Sequence, residues 1–332
     1  MGSPGLRTPP PGGGTDELVR YLQAQATEFL RALRRHRESG VEDAAEPALA
    51  LRRSARRISG CLHTFRPLLD AGWSDGLRSE LAWLSGTLAH EHAYAKRLTR
   101  LLTALQRLAG STGPIPAQAT TGGRVTVGAA KAGALLDRRL TLARTRAHST
   151  ALQALGSARF HAVADSVAVL AGDVPLRRDA AAHPLAPFAA DVEARLTEAV
   201  TALPLVRAGH PYNAEALVHG LAADDGAPES QDTPWHQVRL LLRLHRYARE
   251  TLRVRDVEDR LLDASRTLDR HRDAAEAAAA AADAARTPRI APSTAYALGV
   301  LHADQRHEVE AARFAFKGAW QRTASGPPVS TP

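Results

Sequence analysis

The sequence predicts an all-α protein. Aromatic residues make up only 5% of the chain, β-branched runs are scarce, and long Ala-, Leu- and Arg-rich segments are broken by clusters of Gly and Pro. Within those segments apolar residues recur at steps of three and four, the spacing that lines one face of a helix.

Residues 1–14 are Pro- and Gly-rich and read as a disordered tail. An amphipathic helix follows over about 15–37, with Leu18, Leu22, Phe29, Leu30 and Leu33 on one side and Ser39 and Gly40 as its stop. From about Pro47, a residue suited to a first turn, a second helix carries Leu51, Ala55, Ile58, Leu62, Phe65 and Leu69 on its packing face. Arg52, Arg53, Arg56 and Arg57 share an adjacent face. At 1.5 Å per residue this helix would span roughly 35 Å, enough for a row of charges.

A third helix over about 74–108 contains Leu81, Trp83, Leu84, Leu88, Leu98, Leu101 and Leu105, interrupted by a polar band from His90 to Arg97. Residues 110–128 read as a Gly/Thr/Pro-rich loop, so the next helix is expected to begin near Ala129. Two further helices are expected over about 158–172 and 187–203, then a polar stretch over 209–233 with a short helix near 213–221. A second arginine-rich helix runs over about 235–252. The segment up to Thr287 is alanine-rich and helical by propensity, but its lack of large apolar residues makes it a poor core element. The last helix covers about 293–322, and the tail 323–332 should be loose.

The two arginine-rich segments share a design. When Arg52 is laid on Arg239, Arg56 falls on Arg243 and Ser59 on Arg246, while Val238, Leu242 and His245 continue the packing stripe. The match is partial, since Arg57 meets Leu244, and it reads as an old internal duplication rather than a short-period repeat.

A net charge of +8 and a pI near 10.3 give a field that attracts anions. Guanidinium suits phosphate because it stays charged and donates two parallel hydrogen bonds. The single cysteine, Cys61, excludes an intrachain disulfide and a multi-thiolate zinc site, fits a reducing cytoplasm, and reads as a packing residue. No run approaches the roughly 20 apolar residues of a membrane span.

No GxxxxGK[ST], HExxH or GxSxG motif occurs, and the carboxylates look like scattered partners of Arg, so the chain is not expected to be an enzyme. Neither a cofactor nor a metal is expected: His90 with His92, or His302 with His307, lack the three-or-four spacing of ligands on one helix face. His236, just before the second Arg row, could add charge beside a phosphate when protonated. Lys96 and Arg306 follow similar patterns, LAHEHAYAK and LGVLHADQR, and are secondary candidates.

These residues resemble the CHAD family, the conserved histidine α-helical domain. Leu51, Arg52, Arg56, Arg57, Ile58, Leu62, Phe65, Pro67, Leu68 and Leu69 match its first signature. His236, Val238, Arg239, Arg243, Arg246, Tyr247 and Ala248 match its second. The likeness extends over nearly all of 15–322, which would divide into related halves over about 15–157 and 158–322. Leu49 stands where the first signature has its histidine and Ser59 where it has a later arginine, so the first half is the more divergent copy.

The resemblance implies two helical bundles related by a pseudo-two-fold axis around a basic central groove or pore that binds inorganic polyphosphate, and association with polyphosphate granules in the bacterial cytoplasm. It makes Arg52, Arg56, Arg57, His236, Arg239, Arg243 and Arg246 the expected phosphate contacts, with Arg53, Tyr247, Lys96 and Arg306 beside them. A nucleic-acid-associated protein is the alternative, favoured by charge but opposed by the scarcity of aromatics for base stacking.

Overall fold

A computed structural model describes residues 14–38, 45–110, 119–206, 208, 227–254 and 259–321. The expected terminal tails and the short helix near 213–221 lie outside the described residues. Among those that are described the chain is helical throughout, with α1 (Gly14–Glu38), α2 (Ala45–Thr64), α3 (Ala71–Gly110), α4 (Ala119–Leu155), α5 (Ala158–Gly172), α6 (Ala186–Thr201), α7 (Ala227–Thr251), α8 (Asp259–Ala285) and α9 (Pro292–Gln321). Short 3₁₀ turns form at Arg66–Leu68 and Ala180–Ala182. The one β-like feature among the described residues is an isolated bridge between Leu69 and Leu176.

The chain divides into two compact units. One draws on Met1–Ser85, Gly156–Glu193 and Leu244–Arg255, the other on Gly86–Leu155, Ala194–Arg243 and Asp256–Pro332.

In the first unit the apolar stripes meet as their spacing requires. Leu18, Leu22, Ala26 and Phe29 of α1, Leu51, Ala55, Ile58, Leu62 and Phe65 of the α2 stripe, and Phe160, Val163, Val167 and Leu170 of α5 are all buried, and α1 packs on both α2 and α5. The second helix is shorter than its periodicity suggests. Pro67 disfavours α geometry in the residue before it, so the chain tightens into a 3₁₀ turn after Thr64. Asp70 then caps α3, its carboxylate accepting the Trp73 amide at 2.8 Å. Ser157 caps α5 in the same way through the Phe160 amide, 3.1 Å away.

In the second unit, Leu101, Leu105, Leu136, Leu140, Leu298 and Leu301 form one core with Ala277, Ala281 and Ala284 of α8. A second cluster joins Leu196 and Val200 of α6 to Trp235, Val238 and Leu242 of α7, Leu261 and Leu268 of α8, and Phe316 of α9.

Three expectations are corrected here. The alanine-rich helix is a core element: Ala274, Ala277, Ala278, Ala281 and Ala284 are buried, because small side chains let the neighbouring helix, α9, approach closely and supply the large residues. The loop expected up to Gly128 gives way at Ala119, where α4 begins; extending an established helix is far cheaper than nucleating one, even through glycines. The second arginine helix begins at Ala227 and contains Pro234, held through the proline by buried ion pairs of Asp232. The helix expected over about 74–108 runs through its polar band as α3.

Candidate functional site

The arginines of α2 lie beside its buried stripe and are oriented by their neighbours. Arg52 donates from Nε to the Ser85 carbonyl, and Arg56 donates from Nε to the Ser85 hydroxyl, each at 3.2 Å. Arg57 donates from Nε to Glu250 Oε2 at 2.8 Å. Arg53 points outward, its guanidinium 3.7 Å from Glu46.

Glu250, near the C-terminus of α7, gathers several donors within the first unit. It accepts from Arg57, from the Tyr21 hydroxyl at 2.8 Å, and lies 3.6 Å from Arg246. Burial works against the Arg57 charge, but the bond to Glu250, its negative charge and the two nearby tyrosines together outweigh it and raise the guanidinium pKa above its ordinary value. Burial, joined by the negative charge of Glu250, raises that of Tyr21, so the phenol stays a donor.

Tyr247 is itself buried. Its ring covers Gly60 so closely that a Cβ there would lie 2.5 Å from Cδ2, and the Arg57 and Arg246 guanidiniums sit 5.8 and 5.5 Å from its centroid. This matching residue therefore seals α2 against the end of α7 and supports two arginines from behind. Next to it Cys61 contacts Thr251 at 3.3 Å, and burial pushes the thiol up to about 12, consistent with a packing residue.

In the second unit the carboxylates of α8 do the orienting. Arg239 donates from Nε to Asp269 at 2.7 Å. Lys96 pairs with Asp273, and Arg97 donates to Glu276 at 2.6 Å. Asp269, Asp273 and Glu276 are spaced four and three apart, a single acidic face that meets cations from α7 and α3. Arg239 is thus anchored by a residue 30 positions on, much as Arg52 is anchored by one 33 positions on. Arg243 is half-buried.

His236 is exposed and lies edge-on to buried His271, 5.8 Å between centroids. Partial desolvation, with the charges of Arg239 and Arg272, lowers its pKa below the ordinary value against the pull of Asp232 and Glu276. The shift favours the neutral ring over an added charge.

Arg306, expected at the anion surface, is inside the second unit and only 5% exposed. It donates to Asp232 at 2.8 Å, and Arg313 donates to the other oxygen of Asp232 at 2.6 Å and to Glu310 at 2.7 Å. His271 lies 3.4 Å from Asp232 and stacks on Trp235 at 5.5 Å. Burial dominates this cluster's titration: it raises the Glu310 pKa, lowers that of Arg313 and pushes His271 down to about 4. Asp232 is the exception, its burial outweighed by His271 and the two arginines, which hold it below the usual carboxylate range.

Sequence reasoning passed over Ser85, Glu250, Asp232 and the acidic face of α8. Two had a visible signal: Glu250 stands four residues after Arg246, and the α8 carboxylates keep helical spacing. Among the described residues no three His, Cys, Asp or Glu side chains are grouped to hold a metal, and no helix is long and apolar enough to cross a membrane.

The family profile described as the CHAD domain matches residues 24–255. Among solved structures, "PptA from Streptomyces chartreusis" is similar at a TM-score of 0.80 and 65% identity, over 93% of this chain and 99% of that one. The CHAD domain from the plant Ricinus communis shares the fold at a TM-score of 0.54 and 18% identity, over 93% of this chain and 91% of that one. No curated protein matches the sequence.

Proposed function

Since the chain belongs to the CHAD domain family, we propose that it binds inorganic polyphosphate, without turning it over, through the arginine faces of α2 and α7. The observation that carries this is the anchoring of successive arginines through Nε: Arg52 and Arg56 on Ser85, Arg57 on Glu250, and Arg239 on Asp269. A guanidinium fixed by one edge loses less rotamer freedom when it meets a phosphate. Single contacts between exposed charges are worth only about 1 kcal/mol, so affinity for a linear polyanion comes from several held together.

In this reading Arg52, Arg53, Arg56, Arg57, His236, Arg239, Arg243 and Arg246 face the ligand, with Lys96 at the margin. Tyr247 and Arg306 act from inside, as supports. The paired signatures are an internal duplication giving two helical bundles about a pseudo-two-fold axis with a basic groove, and the protein works at polyphosphate granules of the bacterial cytoplasm.

Nucleic acid is the competing polyanion, favoured by the net charge of +8. Against it, the aromatics carried by the arginine helices, Trp235 and Tyr247, are buried and cannot offer faces for base stacking beside the arginines. Titration with long-chain polyphosphate and with single- and double-stranded DNA at physiological salt separates the two. Tighter polyphosphate binding is expected, and equal or tighter binding of DNA would overturn the assignment.

A further inference from the structure

Ser85 is an unusual choice for its position. It sits inside the 40-residue helix α3, where serine is a weaker helix former than alanine or leucine, and it is followed by Gly86, whose Cβ position is open space. Its side chain is buried. A local preference broken at a buried position points to a task beyond helix formation.

The task is visible in its two acceptors. The carbonyl oxygen of Ser85 receives Arg52 Nε and its hydroxyl oxygen receives Arg56 Nε, both at 3.2 Å. Arg52 and Arg56 are four residues apart on α2, so their guanidiniums emerge one above the other. A carbonyl has two lone pairs, one of which can serve the helix while the other accepts a side chain. One small residue therefore addresses two consecutive arginines, one through the main chain and one through its own side chain.

We infer that Ser85 is a positioning residue for the anion site, fixing the guanidinium of Arg56 through its hydroxyl and that of Arg52 through its carbonyl, so that both are oriented before ligand arrives. This rests on the polyphosphate reading and deepens it. The main-chain arm is available to any residue at this position; the hydroxyl arm needs serine or threonine. Alanine would leave the Arg52 anchor in place and take this one from Arg56, and the entropy of orienting that guanidinium again would appear as weaker binding.

The experiment is a set of double-mutant cycles on the full chain, with long-chain polyphosphate as probe and circular dichroism as a check of helicity. Ser85→Ala is expected to weaken binding about three- to tenfold, within the net range of an ordinary hydrogen bond, with Ser85→Thr restoring most of the loss. In an Arg56→Ala background the Ser85→Ala effect should vanish, whereas in Arg52→Ala and Arg239→Ala backgrounds it should persist in full. Unchanged affinity in Ser85→Ala, or the same loss with Arg56 already removed, would overturn the inference while leaving the polyphosphate reading intact. Loss of helicity in both Ser85 variants would overturn it by making the residue a fold determinant. A wild-type chain that does not bind polyphosphate would overturn both.

Discussion

Asp232 Oδ1 lies 2.6 Å from Arg313 Nη2 inside the second unit, and the other oxygen of the same carboxylate receives Arg306 at 2.8 Å. One carboxylate thus bridges two guanidiniums that are themselves almost wholly buried, with Glu310 as a second counter-charge on Arg313. Removing one partner of a buried ion pair is far worse than exchanging the pair for apolar residues, because the remaining charge is left without solvent or counter-charge. Asp232→Ala is therefore expected to destabilise the protein by about 3–5 kcal/mol, measured by denaturant unfolding at neutral pH. Neutralising an exposed carboxylate such as Asp283 should cost under about 1 kcal/mol.

The same cluster sets an acid limit. His271, facing Asp232, Arg313, His236 and Trp235, is held at about 4 when folded, against 6.5 ordinarily. Between these values the unfolded chain binds more protons than the folded one, so stability falls as pH drops from 6.5 towards 4, by about 3 kcal/mol for this group. The depressed Asp232 pKa adds a loss at still lower pH, as the carboxylate protonates. Unfolding midpoints at pH 7.5 and 4.5 should show the drop, and His271→Gln should reduce it.

Gly60 makes a prediction with a change of sign. Alanine would raise helix propensity by about 1 kcal/mol, but its Cβ would lie 2.5 Å from the buried Tyr247 ring, and overpacking costs about 1–3 kcal/mol. Gly60→Ala should therefore lower stability by up to about 2 kcal/mol. In a Tyr247→Ala background the same substitution should become neutral or stabilising, as seen in paired thermal melts.

The arginine row of α7 should be readable through salt. Every arginine that pairs with a phosphate displaces counterions from the polyanion, and each contributes roughly 0.7 to the slope of log affinity against log salt when that polyanion is single-stranded. Replacing Arg239, Arg243 and Arg246 with Ala is expected to weaken polyphosphate binding and flatten that slope, with helicity unchanged. An unaltered slope would remove these three residues from the site.

What was legible in the sequence were features carried by local periodicity. The stripe Leu51, Ala55, Ile58, Leu62, Phe65 and Leu69 is buried throughout, and α5 covers the expected span, Ala158–Gly172. What was not legible depends on partners far along the chain. Arg306 looks like any solvent-facing cation until Asp232, 74 residues earlier, is brought beside it. The alanines of α8 look like poor core until the leucines of α4 and α9 close on them. Ser85 carries no motif, and its meaning comes only from two arginines 33 and 29 residues before it.

The first unit also imposes an order in time. The face of α2 around Gly60 and Cys61 is completed by Leu244, Tyr247 and Thr251, and the Cys61 and Thr251 side chains that meet there are 190 residues apart. At synthesis rates of about 5–20 residues per second, that face waits roughly 10–40 s on the ribosome for its cover. During that interval the α2 face around Gly60 and Cys61 lacks the side chains that cover it in the folded chain.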